Sequence, residues 1–262
     1  MQRTNPSSAT ASPAASSPDL PEPGGLCAIH QPNWLPRLTT LAKLFAADYW
    51  IVLDDVQFTR RDYQHRARLA ALEDPSRQQW LSLPTRLPHG RPTLIRDARI
   101  ADVDLARRRT TGMLHQHFAA SPHWPALARA LDPVMDAFAT GRTAAVAQTS
   151  TSALLGLLGW KGRILTSSQL PSRTGRSERL ADLAAATGAR SYLCGTGGMT
   201  YLDRAPFADQ DITVTPFRPP VISSAPFDRR ISALWSLATL GPDAVAALLR
   251  TVAAGHGALQ PA

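Results

Sequence analysis

Three short polar segments hold the residues best suited to chemistry: His30-Gln31-Pro32-Asn33, Asp54-Asp55-Val56-Gln57 and Gly195-Thr196-Gly197-Gly198. An imidazole titrates near neutrality, so His30 suits a general base or acid, particularly if a carboxylate orients it. It could equally be a strand-end histidine bonded to the backbone. Asn33 could hold a substrate carbonyl or phosphate, although Pro-Asn is also an ordinary turn. Asp54 and Asp55 could bind a metal, a ribose or an ammonium group, or partner His30; the plainer reading is a helix cap or an Asx turn. Adjacent strand residues point to opposite faces, so at most one of the pair should face a site. The glycine segment could turn backbone N–H groups towards an anion or oxyanion. It is not a Walker loop, since no Lys-Ser/Thr pair follows, and it lacks the spacing of a dinucleotide fingerprint. Past Gln57, Arg61 and Arg66 flank Gln64 and could clamp an anionic substrate or form a solvated face. Cys194 as a nucleophile would need a neighbouring base, so it and Cys27 are expected to be buried small hydrophobes. His115 and His117 are two apart and share no helix face, which argues against a metal pair.

Each of the three polar segments directly follows an apolar run. Strands are expected over 26–30, 49–53, 79–83, 163–166, 191–194 and 212–215, with a β-like piece over 94–100. Leu38, Leu41, Leu44 and Phe45 mark a helix between the first two strands, the grammar of a parallel βαβ unit. Helices over 104–118, 124–138 and 144–158 form a helical middle without chemistry of its own, and others follow over 177–187, 231–240 and 242–254. Ser177 is the expected N-cap of the first of these. The fold class expected is α/β: a mostly parallel sheet with flanking helices and a helical middle segment. If the sheet is parallel, all three polar loops share its carboxyl edge, where such sheets place their ligand crevice.

The chain has 262 residues, 44% hydrophobic and 18% charged, enough for one large domain. Residues 1–25, rich in Ser, Ala and Pro, are expected to be a disordered tail, with a single domain over 26–254 and a frayed end over 255–262. The net charge of +8 comes almost wholly from arginine, since Lys43 and Lys161 are the two lysines. The arginines are scattered and no nucleic-acid-binding motif accompanies them, which argues for a solvated surface and against duplex nucleic acid. Two cysteines without metal spacing point to a reducing compartment. No apolar run approaches a membrane span and the first twenty residues hold no signal-like core, so a cytoplasmic protein without a membrane partner is expected.

Ile29-His-Gln-Pro-Asn-Trp-Leu-Pro36, Leu53-Asp-Asp-Val-Gln-Phe58, Arg61, Gln64 with Arg66, Gln79-Trp80, Glu178-Arg179 and Tyr192-Leu-Cys-Gly-Thr-Gly-Gly198 with Tyr201-Leu-Asp203 together resemble the WbqC-like family. The likeness runs from about Cys27 to about Asp243. It implies an amino-acid transferase, glycyl-type by the usual suggestion, forming an amide in O-antigen or specialised-metabolite biosynthesis. It also implies that His30, Asp54 and Asp55 are catalytic, and that Gln31, Asn33, Gln57, Arg61, Gln64, Arg66, Gly195, Thr196, Gly197, Gly198 and Tyr201 bind substrate. This chain departs from the family pattern at Pro36-Arg37-Leu38-Thr39, His65, Cys194 and Trp235.

The function expected is therefore amide formation from an activated thioester or ester, on a small-molecule amine, with a carrier-protein thioester or an aminoacyl-tRNA as donor. No metal and no cofactor are expected. In this reading His30 deprotonates the amine, Asp54 or Asp55 orients it or binds an ammonium, the glycine loop holds the oxyanion, and Arg61 and Arg66 hold a phosphate or carboxylate. The alternatives are a nucleotide-dependent ligase or nucleotidyltransferase, and a non-catalytic carrier-protein or sugar-nucleotide binding module.

Overall fold

A computed structural model describes residues 25–219 and 230–257; the expected N-terminal tail up to residue 24 and the stretch 258–262 lie outside it. The chain begins with β1 (Leu26–His30), α1 (Leu38–Phe45) and β2 (Tyr49–Val52). A hairpin follows, β3 (Arg66–Ala70) against β4 (Gln78–Ser82), then the two-residue pair β5 (Thr85–Arg86) and β6 (Arg99–Ile100). The helical middle is α2 (Val103–Phe118), α3 (Trp124–Ala137) and α4 (Thr143–Leu157). The α/β pattern resumes with β7 (Arg163–Thr166), α5 (Arg176–Ala185), β8 (Ser191–Cys194), α6 (Ala205–Ala208) and β9 (Thr213–Pro216), and the described chain closes with α7 (Ala233–Leu240) and α8 (Pro242–Gly257).

The main sheet runs β7-β2-β1-β8-β9 with every neighbouring pair parallel. In order of appearance that is 3-2-1-4-5, the arrangement of doubly wound sheets. Period-two alternation sorts β1 between two cores. Leu26 and Ala28 join Trp50 and Val52 against α1, α4, α7 and α8, while Cys27 and Ile29 join Tyr49, Ile51 and Tyr192 against α5 and α6. A leucine fully buried in such a layer, such as Leu41 or Leu44, contributes about 1.5–3 kcal/mol. The expected α/β class is therefore present, and the loops after β1, β2 and β8 all leave the carboxyl edge.

Several local expectations differ. No strand was expected over Arg66–Ala70, yet it pairs with Gln78–Ser82 because Ala67 and Leu69 face the core while Arg66 and Arg68 lie over the Trp80 ring. The β-like piece over 94–100 is mostly a 3-10 turn, Ile95–Asp97, with only Arg99–Ile100 in a strand. Ser177 does not cap α5: Gly175 holds that place, and the Ser177 hydroxyl accepts the Asp203 amide instead. Of the stretch 255–262, residues up to Gly257 belong to α8 and the rest lies outside the described residues. Both cysteines are fully buried. Among the described residues no single helix is long and apolar enough to cross a membrane.

Candidate functional site

From β1 the sheet builds to one side through β2 and β7 and to the other through β8 and β9. The chain leaving β1 and the chain leaving β8 therefore diverge, opening a crevice at the switch point. His30 ends β1 and Gly195 follows β8, and the two meet there. The crevice has a volume of about 310 Å³, and Arg37, Thr39, Thr40 and Lys43 line it beside them. Phe217, just past β9, closes one wall.

His30 is set by its own loop. Its Nδ1 lies 2.7 Å from the Gln31 carbonyl, an acceptor only, so Nδ1 carries the proton and Nε2 keeps the lone pair. Burial, then the charges of Lys43 and Arg37, push the imidazole down to about 3 against the small upward pull of that hydrogen bond. The ring is thus neutral at every physiological pH. The loop is anchored from outside: the Asn33 carbonyl accepts from Thr151 Oγ1 at 2.9 Å, the Leu35 amide donates to Ser150 Oγ at 3.0 Å, and the Trp34 amide donates to the Tyr63 carbonyl at 2.8 Å. Leu35 is held at φ 42°, a left-handed conformation that costs a leucine of order 1–3 kcal/mol and persists only where neighbours enforce it.

Lys43, on α1, is 6% exposed and donates one hydrogen, to the Ile29 carbonyl at 3.0 Å. Burial brings its pKa down to about 8, with the nearby Cys194 and Cys27 pulling weakly upward. Burial raises both thiols, Cys27 to about 12, so neither supplies a thiolate at neutral pH. Across the crevice the chain turns at Gly195 into a 3-10 turn, Gly198–Thr200. The Gly198 and Met199 amides are used on the Gly195 carbonyl, whereas those of Thr196 and Gly197 meet no protein acceptor among the described residues. Gly198 is required by close approach: a Cβ there would lie 2.6 Å from Cys194 Sγ.

Asp54 and Asp55 make no bond to His30; the Gln31 carbonyl orients the imidazole in their stead. Asp54 holds the turn after β7, accepting from Ser167 Oγ at 3.1 Å, Ser168 N at 3.1 Å and Ser168 Oγ at 2.9 Å. Asp55 pairs with Arg179 and accepts from Ser167 Oγ. Gln31 and Gln64 meet directly at 2.7 Å, and Gln64 also accepts the Thr59 amide. Arg61 and Arg66 do not line the crevice. The Arg66 guanidinium donates to the Arg61 and Asp62 carbonyls and stacks over Trp80. Gln57 faces another cleft with Arg60, Arg86 and Arg91, and Tyr201 is exposed with Arg176 over its ring.

Sequence reasoning passed over Arg37, Thr39, Thr40 and Lys43. The available signal was slight: a lysine, rare in this chain, inside a short apolar helix directly after the His30 loop. Electrostatically the crevice has two cations, a neutral imidazole and free amides, with no carboxylate among its lining residues. Such a site favours an anionic or oxyanionic group and can offer a lone pair to a proton.

A family model described as the WbqC-like protein family matches residues 31–247. An uncharacterized protein of Mycobacterium tuberculosis (strain ATCC 25618 / H37Rv), Rv1507c, is 26% identical over 190 residues, covering 72% of this chain and 80% of the mycobacterial protein. No solved structure matches.

Proposed function

The chain belongs to the WbqC-like protein family, and from that premise and the switch-point crevice we propose that it is an aminoacyl or acyl transferase, forming an amide from an activated amino acid in specialised-metabolite or surface-polysaccharide biosynthesis. The donor is a thioester or ester on a carrier protein or tRNA, and the acceptor is a small-molecule amine. One observation carries the reading: an imidazole with its lone pair free at Nε2 lines the same crevice as a glycine loop with two unused amides. The amine nitrogen attacks the acyl carbon, forming the C–N bond. The Thr196 and Gly197 amides hold the oxyanion, a role worth roughly 3–4 kcal/mol per donor. Nε2 accepts the proton from the nitrogen and passes it to the departing sulfur or oxygen as the carbonyl re-forms. The low imidazole pKa keeps the base unprotonated at all working pH but makes it a weak one, so it takes the proton only once the nitrogen has become cationic and acidic in the tetrahedral adduct.

The experiment is intact-mass and product analysis of the full chain with aminoacyl thioester and ester donors and a panel of amines. Amide product is expected, with kcat reduced about 100-fold or more in a folded His30→Gln variant. Turnover unaffected by that change, or no amide from any donor, would reject the assignment. The 3-2-1-4-5 strand order is shared with nucleotide-binding sheets and favours a nucleotide-dependent ligase as second reading. That enzyme would release pyrophosphate or ADP from ATP in the same assays.

A further inference from the structure

Buried cations are ordinarily paired, because an unpaired charge held out of water is costly. Arg173 pairs with Asp182 and Arg179 with Asp55, whereas Lys43 and Arg37 are in no ion pair among the described residues. Arg37 lies over the Tyr63 ring and its Nε is buried without an acceptor. Arg37 is also the N-cap of α1, where no side chain caps the helix and no acidic residue occupies the first turn. The Thr39 amide meets no protein acceptor among the described residues. A helix N-terminus, a guanidinium, a buried ammonium and two threonines therefore converge on one side of a crevice that has free amides on the other and no carboxylate in its lining.

We propose that this crevice binds the phosphate group of a phosphorylated ligand, with Lys43 as the buried counter-charge and Arg37 and the first turn of α1 completing the cradle. The proposal rests on the crevice being the substrate site and is independent of the transfer reaction. Phosphate fits better than carboxylate because two cations balance a group carrying about −1.5 to −2 charge, and because donors on opposite walls suit a tetrahedral acceptor. The volume of about 310 Å³ leaves room for more of the ligand than phosphate alone.

A pH signature follows. The titratable and charged groups around Lys43 include His30 and Cys27 on β1, Cys194 on β8 and Arg37 at the N-cap of its own helix. α4 and α7 carry no titratable side chain, and on α8 Asp243 and Arg250 are exposed while His256 stacks on Phe217. Burial holds His30 neutral and raises both thiols, whereas it has brought the Lys43 ammonium down to about 8, inside the range from pH 7.5 to 9.5. Phosphate stabilises the ammonium, so binding at pH 8.5 draws in a proton, and affinity falls as the pH rises.

The test is isothermal titration calorimetry of the full chain with inorganic phosphate at pH 7.5 and 9.5, in buffers of different ionisation enthalpy, with acetate as the carboxylate probe. One saturable site is expected, weaker at the higher pH, weakened at least 10-fold by Arg37→Gln and by Lys43→Met, and with acetate bound far less tightly. Should Lys43→Met fail to fold, Arg37→Gln and the pH series of the unaltered protein decide. Absence of phosphate binding at millimolar concentration, acetate binding as tight as phosphate, or unchanged affinity in the folded variants would overturn the proposal. Phosphate binding that persists where no amide product forms would reject the transfer reaction and leave this site standing.

Discussion

At Gly198 the chain passes so close to Cys194 that the sulfur takes the place of a side chain, which ties the shape of the glycine loop to a residue buried in the sheet. A Gly198→Ala protein should be destabilised by about 1–3 kcal/mol, the usual cost of overpacking, and should lose turnover as the loop shifts. Cys194→Ala in the same chain removes the sulfur and should restore much of both. Denaturant unfolding of the four proteins of that cycle measures the coupling, and additive effects would refute the steric link. At this scale His30 and the glycine loop were legible because they directly follow apolar strands. Arg37 and Lys43 were not, because what distinguishes them is the lack of a carboxylate partner, a property of packing and not of neighbouring letters. Arg61 and Arg66 were drawn to the site by closeness in sequence to Asp54 and Asp55, whereas local carbonyls and the Trp80 ring take up the Arg66 guanidinium.

The β3–β4 hairpin is the element that holds the segment after β2 in place. Trp80 lies between the two arginines of the facing strand, with Arg66 and Arg68 each 4.6 Å from its ring centre, and meets Tyr63 at 6.0 Å. Tyr63 in turn takes the Trp34 amide and the Arg37 guanidinium, so the hairpin reaches both the His30 loop and the crevice. Trp80→Ala should cost about 1–2 kcal/mol from the two cation–π contacts and raise KM more than it lowers kcat, while Trp80→Phe retains most of both. Urea titration and steady-state kinetics check this; an unchanged KM would disconnect the hairpin from the site. The regular βαβ elements were readable because period and punctuation agree. This hairpin was half missed because Arg66-Ala-Arg-Leu-Ala looks polar until the arginines find an aromatic surface to cover.

Across the whole molecule, burial holds three histidines neutral: His30 at about 3, His65 at about 4, and His256 below its ordinary value. The unfolded chain protonates them near 6.5, so below that pH it binds protons the folded chain refuses, and stability present above 6.5 is lost as the pH falls towards 4. Asp182, which Arg173 holds down at about 2, loses its contribution only at lower pH, below the ordinary carboxylate value. The melting temperature should drop between pH 7 and 5, and His65→Gln should recover part of the loss; equal melting temperatures at the two pH values would refute the neutral burial. The overall basic charge, by contrast, said little about the site, where two cations out of the chain's many matter. The strand order carries a consequence for biosynthesis. β1 is synthesised first and lies in the middle of the sheet, yet Leu26 pairs with Ser191. While the ribosome makes the residues in between, β2 can cover one edge of β1 and the other stays open, an apolar parallel edge with no partner yet in existence. Folding of the nascent chain must wait for β8, and until then this edge is where a chaperone, or a second unfinished copy, would take hold.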